Sequence, residues 1–429
     1  MGINKGLFFV LLVAFFIRLI ALNQSLWLDE AVTAKVVMSY DYSEIINKFS
    51  PTDFHPPLYY LFMKAWTNIF GYSEIALRMP SVLFCLMSGY FIYLISGIWA
   101  ATFFLLNPLV IYYSQDARMY MMATFFLTAG TYLFLKYKKY KPKEIFLMSL
   151  FFSLAFLTFY GSIFFIATIF LYFLYKKQYK IFFVSGLLFL TSFLLIGPLL
   201  LGQFANSKIA LSGVANWSAT LGKANIKNLL LIPIKFSIGR ISFYPKLAYW
   251  IISGIWTIWV FKKILIGGLK DKKLLYLFVF PLTLGFLISF FVPMLQYFRF
   301  IYLIPVMCLL LSRSSQRGWI LTIGFLIFTL TYLLNPAFHR EDWKGLVKDL
   351  PKNKPVYMIM SSSDPVRYYS KNINIKDISG KPIEKDITVI PFSFGVHGLD
   401  YKSLLGKQGY QLKKEKSFRE VTYEQWSLK

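Results

Sequence analysis

The sequence is short of charge, cysteine, histidine and acidic residues, and each shortage removes a class of protein. Only 15% of residues are charged, where an ordinary soluble domain has about a quarter, so water is a poor solvent for this chain. The two cysteines, Cys85 and Cys308, both lie inside apolar runs, which excludes a disulfide framework and a thiolate metal site and leaves them as packing residues. Three histidines show no metal-ligand spacing, and metal dependence stays open. Acids number 20 against 46 Lys and Arg, a net charge of +26. The basic residues sit in short clusters between apolar runs, the mark of cytoplasmic loops held against anionic lipid rather than of a nucleic-acid surface. Heptads, solenoid repeats and low-complexity tracts are absent as well.

What is abundant is apolar and aromatic: 57% of residues are hydrophobic and 20% aromatic. A helix needs roughly 20 apolar residues to cross about 30 Å of hydrocarbon. About eleven candidate helices occur, near 6–22, 80–95, 97–113, 120–135, 144–160, 161–175, 181–201, 245–261, 274–292, 300–312 and 318–334. The first is long for a signal-peptide core and lacks a small-residue cleavage pattern after it, so it reads as a membrane helix. The predicted class is mainly α, a polytopic transmembrane helical bundle over residues 1–334. Composition then turns rich in Lys, Asp, Glu and Ser, with short apolar pieces at 356–360 and 387–392. Residues 335–429 therefore read as a small extracytoplasmic α/β domain, and 202–244 as a polar loop with an interfacial helix.

Four basic clusters set the orientation. They are Lys136, Lys138, Lys139, Lys141 and Lys143; Lys176, Lys177 and Lys180; Lys262, Lys263, Lys270, Lys272 and Lys273; and Arg313 with Arg317. Two predicted helices separate each cluster from the next, so all four share one side, the cytoplasm by the positive-inside rule. The uncharged stretch 81–113 would be about 50 Å long as one helix, and two helices turning at Ser96-Gly97 fit better. On that count the loop at 23–79, the turn at 114–118 and the C-terminal domain are all external, on the outer face of the cell membrane.

Chemistry-bearing residues collect on this outer face. Asp29 and Glu30, in Trp27-Leu28-Asp29-Glu30-Ala31, directly follow the first helix; acids there also complement a helix N-terminus. His55, in His55-Pro56-Pro57-Leu58-Tyr59-Tyr60, reads as a positioning residue beside two prolines that fix the way into a helix. Asp116, Arg118 and Tyr120 stand in Ser114-Gln115-Asp116-Ala117-Arg118-Met119-Tyr120. Asp116 and Arg118 either pair with one another, which is worth little at a surface, or meet a lipid phosphate. Arg78 and Arg299 lie at the same depth, as phosphate ligands or as snorkelling anchors.

Taken in order, Trp27-Leu28-Asp29-Glu30-Ala31, His55-Pro56-Pro57-Leu58-Tyr59, Leu77-Arg78-Met79-Pro80-Ser81, Ser114 through Tyr120, and Arg340-Glu341-Asp342-Trp343 resemble one superfamily. It is the prokaryotic branch of the protein O-mannosyltransferase and aminoarabinose (lipid A) transferase-like proteins, with the GT-C fold. The resemblance is good over about the first 120 residues and holds mainly in layout beyond. The short uncharged link between the second and third helices departs from the family pattern. The resemblance implies an inverting transfer of a sugar from undecaprenyl- or dolichyl-phosphate to an acceptor on the outer membrane face. It also implies Asp29 as catalytic base with Glu30 beside it, and Arg118 facing the lipid phosphate, with Asp116 and, less securely, Arg299 matching family positions.

The implied reaction suits these residues. A sugar on phosphate carries its own leaving group, so one base suffices where glycoside hydrolysis uses two carboxylates. The donor is a lipid-linked sugar and the partners are membrane lipid, that donor and an acceptor the sequence does not name. Two other classes fit a basic polytopic chain. A transporter or lipid flippase would place ionisable groups near the midplane and show internal repeats. A structural subunit with a decayed site would not be expected to keep both Asp29 and Glu30.

Overall fold

A computed structural model describes residues 5–137, 140–314, 318–351, 354–380 and 382–429. Each of the eleven predicted apolar segments carries helix. The helices that frame the site are α1 (Lys5–Leu19), α2 (Leu28–Ser39), α3 (Leu58–Phe70), α4 (Glu74–Leu105), α5 (Pro108–Ser114), α6 (Tyr120–Lys136), α7 (Pro142–Thr158) and α8 (Ile163–Tyr175). They are followed by α9 (Tyr179–Gly213), α10 (Ile226–Ile238), α11 (Lys246–Lys270), α12 (Lys272–Ile288), α13 (Ile304–Ser314), entered through a 3-10 stretch at Tyr297–Leu303, and α14 (Trp319–Leu334).

By length and composition α4, α9, α11 and the 297–314 stretch are able to cross a membrane. The other apolar helices are shorter; α6, α7 and α12 have 17 residues each and α1 has 15. One apolar core runs through the bundle, while Leu187, Leu194, Leu195, Ile255 and Ile258 face outward, exposed. A surface this apolar calls for lipid around it, and the chain is a multi-pass membrane protein.

The stretch 81–113 divides as its length requires. Gly97 sits inside α4 at φ 79° and ψ −169°, a non-helical conformation open in practice only to glycine, and so breaks α4 into two helices. A second break follows at Asn107, whose side chain caps α5 by accepting from the amides of Leu109 and Val110, with Pro108 in the first turn.

Four boundaries differ from the sequence reading. Helix α4 starts at Glu74, where the Ser73 hydroxyl accepts from the Ala76 amide at 3.2 Å, so Arg78 is helical rather than in the loop. Segment 97–113 is two helices and not one. Helix α9 runs on to Gly213 through part of the predicted polar loop, because its polar residues find partners: Gln203 Nε2 donates to the carbonyls of Ser50 at 2.6 Å and His55 at 3.1 Å, and Asn206 to that of Pro51 at 2.8 Å. Lys262 and Lys263 belong to α11, not to a loop.

The remaining basic clusters meet at one end. Lys270 Nζ donates to the Arg313 carbonyl at 3.2 Å, and Lys273 Nζ lies 3.8 Å from the Phe134 ring and 5.0 Å from that of Tyr172. Ser96, at the break in α4, bonds Ser312 at 2.8 Å, at the same end. Lys138, Lys139 and Arg317 lie outside the described residues.

At the other end the C-terminal sheet domain rests on the 23–79 segment. Its strands β1 (Val356–Met358), β2 (Ile375–Asp377), β3 (Asp386–Val389), β4 (Tyr410–Phe418) and β5 (Val421–Leu428) form one sheet in the order β2-β1-β3-β5-β4. Strand β1 is parallel to β2 and β3, with Val356 opposite Ile375 and Thr388; β5 is antiparallel to β3 and β4. The apolar pieces at 356–360 and 387–392 supply β1 and β3. Docking is polar: Lys35 pairs with Asp364 at 3.0 Å, Lys344 with Glu74 at 3.0 Å, and the Tyr369 hydroxyl accepts from the Leu26 amide at 2.8 Å.

This two-ended arrangement predicts that Lys177→Cys and Ser403→Cys, both at exposed positions, react with a membrane-impermeant maleimide from opposite sides of a sealed vesicle. The native cysteines are buried and stay silent. Labelling of both variants from one side contradicts it.

Candidate active site

The turn Gln115–Met119 between α5 and α6 lies against the start of α2, and buried charge joins the two. Glu30, in the first turn of α2, has no exposed side-chain surface. Its Oε1 accepts from Arg78 Nε at 2.7 Å and from the Ala117 amide at 2.8 Å; Oε2 accepts from Arg78 Nη2 at 2.5 Å and from the Trp27 amide at 3.3 Å. Arg78 spends its remaining donors on the carbonyls of Leu22, Gln24 and Ser25. Asp116, equally buried, pairs not with Arg118 but with Arg340, whose Nη2 stands 3.3 Å from its Oδ1; Trp27 Nε1 donates to the same oxygen at 2.9 Å. Arg340 Nε also stands 3.7 Å from Glu30 Oε2. Two carboxylates and two guanidiniums thus balance in an enclosure without water contact, where an unpaired charge would cost several kcal/mol (about 3–5 for a broken buried pair).

Electrostatics divide the two acids. Burial pushes the Glu30 carboxyl up, but Arg340 and Arg78 more than offset it and hold it below the usual range. Burial dominates at Asp116, with Glu30 adding repulsion against the pull of Arg340, and its carboxyl is pushed up to about 6.

Asp29, one residue before Glu30, faces the other way. Its side chain is 39% exposed, while Arg118 Nη2 stands 3.9 Å from its Oδ2 with only 4% of the Arg118 side chain open. The first turn of α2 explains the difference, since neighbouring helical residues point about 100° apart. Arg118 is anchored by Nη1 donating to the Asp29 carbonyl at 3.3 Å and the Tyr60 hydroxyl at 3.2 Å. Tyr120 and Arg299 complete this side: the Asp29 charge reaches Arg299, and the Tyr120 ring packs edge-on against Phe298, the neighbour of Arg299, at 5.7 Å. Arg299 Nη1 donates to the Pro293 carbonyl at 3.3 Å.

His55 Nδ1 lies 3.4 Å from Asp53 Oδ1, and its carbonyl is held by Gln203. Burial acts against the Asp53 carboxylate, but His55 and then Arg118 hold it below its ordinary value. The eight residues singled out in the sequence therefore fall into a group around the partly exposed Asp29, with Arg118, Tyr120 and Arg299; a fully enclosed group, Glu30, Arg78 and Asp116; and His55 at the flank. Among the described residues no three His, Cys, Asp or Glu side chains gather as a metal cage.

Sequence reasoning passed over Asp53, Tyr60 and Arg240, and gave Arg340 no role of its own. Arg240 Nη1 donates to the Tyr112 hydroxyl at 2.5 Å, and the Tyr112 ring carries both Arg240 and Arg340, at 4.7 and 4.4 Å. Asp53 stands two residues before His55 and carried a local signal; Arg340 lies 225 residues from Gln115 and 316 from Gln24.

Comparison with known proteins identifies the fold. ArnT from Cupriavidus metallidurans, solved bound to undecaprenyl phosphate, superposes with a TM-score of 0.56 at 11% identity, over 98% of this chain and 97% of that one. The apo form of the same protein gives 0.45 at 12% identity, over 97% of each chain. The fold is of the GT-C glycosyltransferase type.

Within it, residues 54–201 match the family described as dolichyl-phosphate-mannose-protein mannosyltransferase. Of the ordered motifs, those at 55–59, 77–81 and 114–120 fall inside this match, and the fold is the one the resemblance implied. The matched family region begins downstream of Asp29. No curated protein matches the sequence.

The raised Asp116 carboxyl has a testable sign. Its contribution favours the folded state fully below about 3.8, its unfolded value, and is lost as pH rises through about 6. Between pH 7 and 5 the melting temperature of Asp116→Asn should therefore rise less, or fall more, than that of the wild type. Parallel pH profiles contradict the assignment.

Proposed function

We propose that this chain is an inverting glycosyltransferase that moves a sugar from a polyprenyl-phosphate donor to an acceptor on the extracytoplasmic face of the cell membrane. The observation that carries the reading is the contrast between the adjacent acids: Asp29 has its carboxylate partly open beside a nearly enclosed guanidinium, whereas Glu30 has both oxygens engaged. A general base needs a free lone pair within reach of the acceptor. Asp29 has one, so Asp29 alone is the base, and Glu30 is reassigned from catalysis to holding the loop.

In the reaction Asp29 takes the proton from the acceptor hydroxyl or amine as that atom attacks the anomeric carbon. The bond from that carbon to the phosphate oxygen breaks, and the lipid phosphate leaves with the electron pair, so configuration inverts. Arg118, 3.9 Å from Asp29, and Arg299, which the Asp29 charge reaches, meet the charge that grows on the departing phosphate, the kind of interaction worth most in the transition state. Asp116 and Arg78, engaged with one another's neighbours, act on substrate only through the shape they give the turn, and Tyr120 and His55 border the space.

A donor of this class is supported by the ArnT structure, which holds undecaprenyl phosphate, and by the family description, which names dolichyl-phosphate mannose. Against a transporter stands the gathering of buried charge at one end of the bundle rather than at its midplane.

Asp29→Asn should abolish release of polyprenyl phosphate from a lipid-linked sugar while the protein remains folded in detergent, since an amide accepts no proton; wild-type turnover by this variant removes Asp29 from the mechanism. Arg118→Ala should raise the KM for donor by tenfold or more and that for acceptor by less than threefold. Equal effects on both substrates refute its phosphate role.

A further inference from the structure

We infer that Arg340, from the segment leading into the C-terminal sheet, is a positioning residue for the Asp29 and Arg118 pair, and that the β4–β5 turn holds it in place through Arg419. This rests on the transferase reading above for its kinetic consequences, though not for its geometry.

Arg340 is fully enclosed and touches both segments that carry Asp29 and Arg118. Its Nη1 donates to the Gln115 carbonyl at 2.8 Å and its Nη2 to the Tyr112 carbonyl at 3.3 Å, capping the end of α5 where the catalytic turn begins. The same guanidinium faces Asp116 and Glu30, the acids that flank Arg118 and Asp29 in sequence. Its own amide donates to Gln24 Oε1 at 3.0 Å. One residue, through its guanidinium and its amide, thereby ties the 24–30 segment to the 112–118 turn, and the Asp29 to Arg118 spacing is the distance between those two segments.

Arg340 is itself gripped from outside the membrane bundle. Arg419 Nε donates to the Arg340 carbonyl at 2.5 Å, and the Asp342 amide donates to the Arg419 carbonyl at 2.9 Å. Arg419 occupies the turn between β4 and β5, so the sheet domain holds the two successive peptides that follow the Arg340 side chain. None of these contacts reaches substrate, which is why the role is positioning and not catalysis. Tyr112 adds a flat support, the Arg340 guanidinium lying 4.4 Å from its ring.

The test uses the full chain in detergent, with undecaprenyl-phosphate-linked sugar as donor probe and hydrogen exchange as a second readout. Arg340→Gln should lower kcat by a hundredfold or more with donor KM within threefold of wild type. It should speed amide exchange in residues 24–31 and 112–119, including the Ala117 amide held by Glu30, and leave exchange in α7 unchanged. Arg340→Gln combined with Asp116→Asn, which removes the acid left without its cation, should regain at least tenfold in kcat. Arg419→Ala should show a smaller loss of the same kind. Wild-type kcat in Arg340→Gln, or a double variant no better than the single one, overturns the inference. Should wild-type protein itself turn over no donor, the transferase reading falls and exchange alone decides: unchanged protection of 24–31 and 112–119 in Arg340→Gln overturns the positioning role.

Discussion

Glu30 and Asp116 are carboxylates held without solvent contact, and Arg78 and Arg340 are the guanidiniums that make this tolerable. In a low-dielectric enclosure none of the four can be lost alone, because its partner would remain as an uncompensated charge. The cluster therefore behaves as a single fastening. It joins the loop after α1, the second turn of α4, the turn before α6 and the lead into the sheet domain, four segments that share no local sequence. What it contributes is geometric specificity more than stability, since a buried ion pair is seldom better than well-packed apolar groups.

The consequence for function is a division of labour between adjacent residues. A helix turns its neighbours about 100° apart, so the residue next to a buried anchor is aimed away from it with little freedom. Glu30 anchors, and Asp29 is aimed at the open side. The same relation holds across the turn, where Asp116 is locked and Arg118 reaches out to Asp29 and Tyr60. Two locked acids thus present a carboxylate and a guanidinium to one space.

Much of this was legible from residues in a row. Apolar run lengths located eleven segments that each carry helix, and the impossibility of a 33-residue uncharged helix within one bilayer forecast the break at Gly97. The ordered motifs grouped Asp29 and Arg118, which the fold does bring together at 3.9 Å, each beside a helix end. Less legible was anything decided by long-range partners. Whether Glu30 or Asp29 is buried depends on Arg78 and Arg340, and the second of these lies 310 residues on. Helix α9 outran its apolar stretch because Gln203 and Asn206 found carbonyls in the 50–57 segment, which no local pattern encodes. Asp116 reads from the sequence either as a partner for Arg118, the nearest cation in sequence, or as a group facing a lipid phosphate, whereas its ion-pair partner in space is Arg340.

The central claim is that the space bounded by Asp29, Arg118 and Arg299 receives the phosphate of a long isoprenoid carrier. Its most direct test is an electron cryomicroscopy structure of the chain in a nanodisc with undecaprenyl phosphate. The account predicts the phosphate within hydrogen-bonding distance of the Arg118 or Arg299 guanidinium, on the same side of the turn as the Asp29 carboxylate. A phosphate seated away from both arginines, with Asp29 facing no part of the ligand, would contradict it.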